Sequence, residues 1–390
     1  MRAGTTSPRI IATSALDHLY QIDTPADLQE CLNVFLSAVK GSFRTLSKKD
    51  EDALIAIVTT GDKPISPELY QRYADNFRRA VDAVPIDDTD LSAQWHANVS
   101  RFAAYKAYHA TEELRRIAEE EDGDMAFLRA TLHKYNRYQA AEYNTAVARA
   151  RTGKQWQQFD EPDNRRLFPC IKWLPSRSAT PREEHMPFYN RVWPKDDPFW
   201  TYNQPGTLWN CKCDWEQTDE EPTDGNPDRR IVKPGLDQNP ATSGQIFTDS
   251  APYIRKAPAV VPTYAIRMER DLFRNSHSDD FVVFDTSIGK VLYDEISVRE
   301  ISKGAKTDTS YFYKLEIAQH FDKYADKLQL INPNEPIDSS HNNHNNIFYR
   351  RKAQFQCMEV YKLSINGYDF QIKLGKFRTG GYNLYCITEP

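Results

Sequence analysis

The sequence predicts a multidomain α+β protein: a mainly helical N-terminal body with an irregular central segment, then a small α+β domain ending in an antiparallel β-meander. Three observations carry this expectation. The chain has 390 residues, more than one hydrophobic core ordinarily organises. Through the first 150 residues apolar side chains recur every three or four positions, the period of a helix with one buried stripe. Near the C-terminus the period changes to two on either side of Asn366-Gly367, a two-residue hairpin signature.

Taken in order, residues 1–23 are Ser/Thr-rich and read as a tail. Thr24-Pro25 then supplies an N-cap and a first-turn proline, and Leu28, Cys31, Leu32, Phe35, Leu36 and Val39 form the stripe behind it. Ser66-Pro67 opens a second helix with Leu69, Tyr70, Tyr73, Phe77 and Val81. A third runs from about Leu91 to Glu120, and the same style continues from Phe127 to Ala150. Aromatic rings at helical spacing read as packing. From Gln155 to Glu221 proline, tryptophan and charged residues crowd together without a period, which predicts an irregular segment held by specific contacts. Residues 217–245 read as an exposed connection, with a boundary near 250–268, so that the body is 24–265 and the second domain 270–390. There, Phe281–Phe284 reads as a strand, Ser310–Leu328 as a helix and His341–Asn346 as a polar loop. Tyr361, Leu363 and Ile365, then Tyr368, Phe370, Ile372 and Leu374, form the hairpin, and Tyr382–Thr388 a third strand.

Composition excludes several classes. Hydrophobic residues are 40% and charged residues 27% of the chain, near globular averages and against wholesale disorder. No apolar window is long enough for a membrane span, and the first residues lack the pattern of a secretory signal. The expectation is a protein that acts, or is packaged, where it is made. A net charge of −5 gives no global attraction to nucleic acid, so any such role is regional. Six cysteines are too sparse for a secreted disulfide scaffold and read as reduced.

The central segment gathers the chemistry. His185 lies about twenty-five residues before Cys211 and Cys213, and imidazole and thiolate are good zinc ligands. A fourth ligand is not fixed by spacing; Cys170 and Asp214 are candidates. The other reading is that reduced cysteines and a hydrogen-bonded histidine hold a loop together.

The same segment resembles a known family. Tyr143-Asn144-Thr145-Ala146, then Thr180-Pro181-Arg182-Glu183-Glu184-His185, then Trp193-Pro194-Lys195-Asp196-Asp197-Pro198-Phe199-Trp200, and finally Asn210-Cys211-Lys212-Cys213 are similar in order and spacing to the Mu F-like minor head proteins of tailed bacteriophages. The likeness covers roughly residues 90–265. Lys212 stands where relatives carry arginine, and Ala179 to His185 lacks the acidic position of their Asp-x-x-Arg-Pro-x-His run. The resemblance implies head morphogenesis beside the phage portal and capsid proteins, with a location in the virion or the bacterial host cytoplasm. It implies no established enzyme activity.

Such proteins often carry a variable C-terminal extension, in several lineages a toxin enzyme. From Ile347 to Pro390 seven basic residues face three acidic ones, a net of +4. A helix followed by an antiparallel sheet bearing His, Lys, Arg and Tyr or Thr resembles the barnase, EndoU, colicin and RelE-like ribonucleases. Metal-independent RNA cleavage needs a base, an acid and cations for the phosphorane charge. The resemblance assigns acid or base to His320, His341 or His344, phosphate stabilisation to Lys373, Lys376 and Arg378, and a hydrogen-bonding role to Thr379 or Tyr382. It implies RNA and an immunity protein as partners. The alternative is a purely structural head protein whose C-terminal domain binds protein or nucleic acid without catalysis. The Arg, Ser-Thr-Ser and Glu-x-Glu series of ADP-ribosyl transfer is not found.

Overall fold

A computed structural model describes residues 47–227, 229–276, 282–337, 351–365 and 367–390. The helix expected after Thr24-Pro25 lies outside the described residues, as do Phe281, His341, His344 and Asn366. The architecture is mixed α+β. The chain divides into two compact units, one of residues up to Pro85 with His109–Pro252, the other of Ile86–Tyr108 with Tyr253–Pro390.

In the first unit the helices are α1 (Lys48–Thr60), α2 (Pro67–Asp82), the part of α3 (Thr89–Glu120) from His109 onward, α4 (Met125–Asp160) and α5 (Pro162–Leu167). The Ser66 hydroxyl accepts from the Leu69 N–H, with Pro67 in the first turn, and the Leu69, Tyr70, Tyr73 and Phe77 stripe is buried. Asp124 caps α4 in the same way. That helix runs to Asp160, so the start of the expected irregular segment is helical. Gly153 is tolerated within it because its neighbours Ala146, Ala150 and Thr152 are buried against the body, where packing outweighs the roughly 1 kcal/mol propensity cost of glycine.

Beyond α5 the segment expected to be irregular holds a small antiparallel sheet in the order β2-β1-β3: β1 (Cys170–Leu174), β2 (Val192–Pro194) and β3 (Asp214–Thr218). These strands escaped the sequence reading because three to five residues are too few to register alternation. Short 3-10 turns at Glu183–Phe188 and Pro198–Thr201 separate them. Trp173, Phe188, Trp193, Phe199, Trp200 and Trp215 fill one aromatic core, with Trp193 stacked on Phe199 at 4.1 Å between centroids. These rings therefore pack their own unit.

The second unit carries α6 (Val261–Ser276), α7 (Glu295–Ile301) and α8 (Asp308–Gln319), with strands β4 (Val282–Thr286), β5 (Gly289–Tyr293), β6 (Gln329–Glu335), β7 (Phe355–Ile365), β8 (Tyr368–Phe377) and β9 (Tyr382–Thr388). The expected three-stranded meander is the β7-β8-β9 part of a six-stranded sheet ordered β4-β5-β9-β8-β7-β6. Its hairpin register, Ile365 opposite Tyr368, is the one the alternation predicts. β5 joins β9 in parallel, a pairing no local pattern encodes. The break between the units at Pro252 and Tyr253 falls within the expected 250–268 range, α6 begins inside that range, and α8 ends at Gln319 because His320 leaves the helical region at φ −128°. Within this unit Arg101 Nε donates to Asp308 Oδ2 at 2.7 Å, and the Tyr105 hydroxyl donates to the same oxygen at 2.8 Å, so the middle of α3 and the first turn of α8 share a buried ion pair.

Candidate metal centre

Three segments of the first unit converge on one point. His185 sits in the 3-10 turn between β1 and β2 and is fully buried, its ring edge-on to Trp173 at 5.1 Å. Cys211 and Cys213 lie in the turn that leads into β3. Asn210 enters that turn at φ 59°, in the left-handed region that asparagine tolerates better than most residues.

The turn is clamped by residues distant in sequence. The Asn210 N–H donates to Thr145 Oγ1 at 2.7 Å, and Asn144 Nδ2 donates to Asn210 Oδ1 at 3.1 Å. The Arg182 guanidinium donates to the Trp209 carbonyl at 2.8 Å. The Arg177 N–H donates to the Lys212 carbonyl at 3.1 Å. Asn144 and Thr145 had no role in the sequence reading beyond their place in a motif; a tetrapeptide ending a helical stretch was their one visible signal. Asp197 caps the second 3-10 turn through the Phe199 N–H at 2.8 Å.

His185 Nδ1 lies 3.5 Å from Cys211 Sγ and 3.6 Å from Cys213 Sγ. All three donor atoms lie within 4.8 Å of one another, and among the described residues this is the one such group. Cys170 and Asp214, considered above as fourth ligands, stand outside it. Cys170 borders another cavity, with Lys195 and Glu221, and the Asp214 carboxylate faces Arg177 and Gln155. The hydrogen bond with Cys213, followed by that with the His185 ring, holds the Cys211 thiol below the usual cysteine range. The same hydrogen bond and burial push Cys213 up, while Trp173 and Tyr189 act in the opposite sense. Two sulfurs and an imidazole nitrogen, already convergent, could hold a metal ion.

A cavity of about 280 Å³ borders all three donors. Ser176, Ser178, Thr180, Arg182 and Lys212 line it. Lysine 195, in the Trp-Pro-Lys-Asp-Asp run, takes a different role. It is buried, donates to the carbonyls of Phe159 and Asn164 and to Gln217 Oε1, and burial lowers its pKa to about 8.

Of the residues proposed for RNA cleavage, His341 and His344 lie outside the described residues, and the others are placed as follows. His320 caps α8, 3.7 Å from Glu316, and burial holds its pKa below the ordinary histidine value. Lys373 is ion-paired with Glu335. Arg378 and Thr379 are exposed at the β8–β9 turn. Lys376 and Tyr382 do come together, at 5.8 Å from ammonium to ring centre. Lys376 also donates to Glu359 at 2.9 Å, and the Tyr361 hydroxyl donates to the same carboxylate at 2.7 Å. Burial opposes ionisation of Glu359, yet Lys376 and Tyr361 hold its carboxyl below the usual range. Glu359 was missed because an acidic residue within an apolar strand gives no local signal of its partners.

Fold and site together define a mixed α+β protein with a three-donor centre suited to a soft divalent metal. No protein-family model matches the chain, and comparison with curated proteins and with solved structures found no significant match. Among the described residues no helix is long and apolar enough to cross a membrane.

Proposed function

We propose that this chain is a head-morphogenesis protein of the Mu F-like kind whose central body is closed by zinc on His185, Cys211 and Cys213. The observation that carries the metal reading is a pair of distances. Zinc bonds of about 2.3 Å to sulfur and 2.0–2.1 Å to nitrogen at tetrahedral angles require N···S separations of about 3.5–3.6 Å, and the two separations here are 3.5 and 3.6 Å. The family reading is supported by the convergence of its motifs: Asn144, Thr145 and Arg182 all bind the turn that carries Cys211 and Cys213. Such a centre fixes a small, irregular region that its short strands alone hold weakly. The purified full-length chain should contain one equivalent of zinc by elemental analysis, and Cys211→Ser or Cys213→Ser should lose it. Metal-free protein of native stability would end the zinc reading. Co-expression with the portal protein encoded in the same phage or prophage tests the assembly role: co-elution supports it, and separate elution of two folded proteins overturns it.

A second reading concerns the C-terminal sheet. A metal-independent ribonuclease is favoured by the grouping of Glu359, Lys376, Tyr361 and Tyr382, which sets a carboxylate beside a cation on a β-meander. Against it, Lys373 and Lys376 are each engaged by a carboxylate. Incubating the full chain with total RNA and EDTA, beside Lys376→Ala, decides the matter. Cleavage by the parent alone supports the enzyme; intact RNA leaves the structural head protein with a non-catalytic C-terminal domain.

A further inference from the structure

The proposed zinc centre is one ligand short, and its surroundings define the chemistry of the missing one. This inference rests on the metal reading above. Structural zinc is four-coordinate, and a site with three protein donors keeps a position open to an outside ligand. Here no fourth histidine, cysteine or carboxylate among the described residues joins the group, so the remaining position falls to whatever the adjoining cavity admits.

The cavity is built for negative charge. Its lining residues are His185, Cys211 and Cys213 with Ser176, Ser178, Thr180, Arg182, Asn210 and Lys212, and no carboxylate is among them. Zinc with two thiolates is neutral, so Arg182 and Lys212 leave the pocket with a net positive charge. Lys212 is exposed, and no described group pairs with its ammonium. The Arg182 fork spends one N–H on the Trp209 carbonyl and has other donors left. Serine and threonine hydroxyls add neutral donors within the same wall. A volume of about 280 Å³ far exceeds the roughly 30 Å³ share of one water, and hydroxyls with Lys and Arg are the usual partners of phosphate oxygens.

We infer that the fourth zinc position takes an oxyanion of the phosphate class, bound through one oxygen to the metal and through the others to Lys212, Arg182 and the Ser/Thr wall.

Cobalt(II) in place of zinc makes the test visible, because its ligand-field absorption changes with the fourth ligand. The full-length protein is loaded with one equivalent of cobalt and titrated with inorganic phosphate, with chloride at equal ionic strength as control. A saturable spectral change with phosphate alone is expected. Lys212→Ala, which touches no ligand atom, should keep the thiolate-to-cobalt band and weaken phosphate binding about tenfold, the worth of one charge-assisted hydrogen bond. A four-coordinate cobalt spectrum that phosphate leaves unmoved, or equal phosphate affinity in Lys212→Ala, overturns the inference and leaves the metal centre standing. Failure to bind cobalt at all overturns the zinc reading beneath it.

Discussion

Arg149 places a cation in the interior with no carboxylate in contact. Its guanidinium is fully buried and donates to the carbonyls of Ile246, Gln238 and Leu236 at 2.6, 2.6 and 3.0 Å. Burial lowers its pKa to about 9, with Asp237 opposing. Oriented carbonyl dipoles replace the lost water, so one side chain from α4 fixes the 236–246 segment. Removing it strands several buried acceptors, and Arg149→Met should cost about 3–5 kcal/mol by chemical denaturation. A loss below about 1 kcal/mol would show that the carbonyls find water instead. Lys314 gives a pH signature in the other unit. Burial brings its pKa down to about 8 from 10.5, although its ammonium donates to the Lys303 carbonyl at 2.7 Å. Between those values the unfolded chain holds more protons than the folded one, so this residue's contribution to stability rises with pH. The penalty is complete below pH 8 and gone above pH 10.5. The stability of the parent relative to Lys314→Met should therefore improve by about 2 kcal/mol between pH 7 and pH 10. A flat difference across that range would contradict a charged, buried Lys314.

At the scale of elements, β8 shows how one strand position is decided by its neighbour. A Cβ on Gly375 would stand 2.4 Å from the Phe355 ring, and Phe355 is buried at the start of β7. The ring occupies the space a side chain would need. Gly375→Ala should destabilise by about 1–3 kcal/mol through overpacking. Adding Phe355→Leu should recover part of that loss, since residues in contact couple in a double-mutant cycle. Purely additive losses would place the cause in the strand backbone. The capping boxes of α7 and α8, Asp294 with Ser297 and Thr307 with Ser310, are the helical counterpart: each start is written locally, in residues three apart.

For the whole molecule, the two units offer different readouts. Six of the seven tryptophans, all but Trp95, belong to the first unit, and Trp173 touches the His185 ring. If zinc closes the centre, chelation with EDTA should lower the melting temperature reported by tryptophan fluorescence, because a ligand bound only to the folded state stabilises it by mass action. The variant Cys211→Ser/Cys213→Ser should already melt at the lower temperature and ignore EDTA. An identical EDTA response in the double variant would trace the effect to another site.

What the sequence determined by itself was local. Helical period, caps and the Asn-Gly hairpin predicted α2, α3, α4 and the β7–β8 register, because the interactions that specify them lie within a few residues. His185, Cys211 and Cys213 were legible as ligand types, since their side chains advertise their chemistry wherever they fall. The tertiary structure decided what spacing cannot carry. It brought Thr145 to Asn210 across 65 residues and Glu359 beside Lys376 across a hairpin. It joined β5 to β9 in parallel and left Cys170 outside the group of His185, Cys211 and Cys213. Each of those outcomes depends on long-range packing, where the chain's path sets the distance between groups and no local pattern records it.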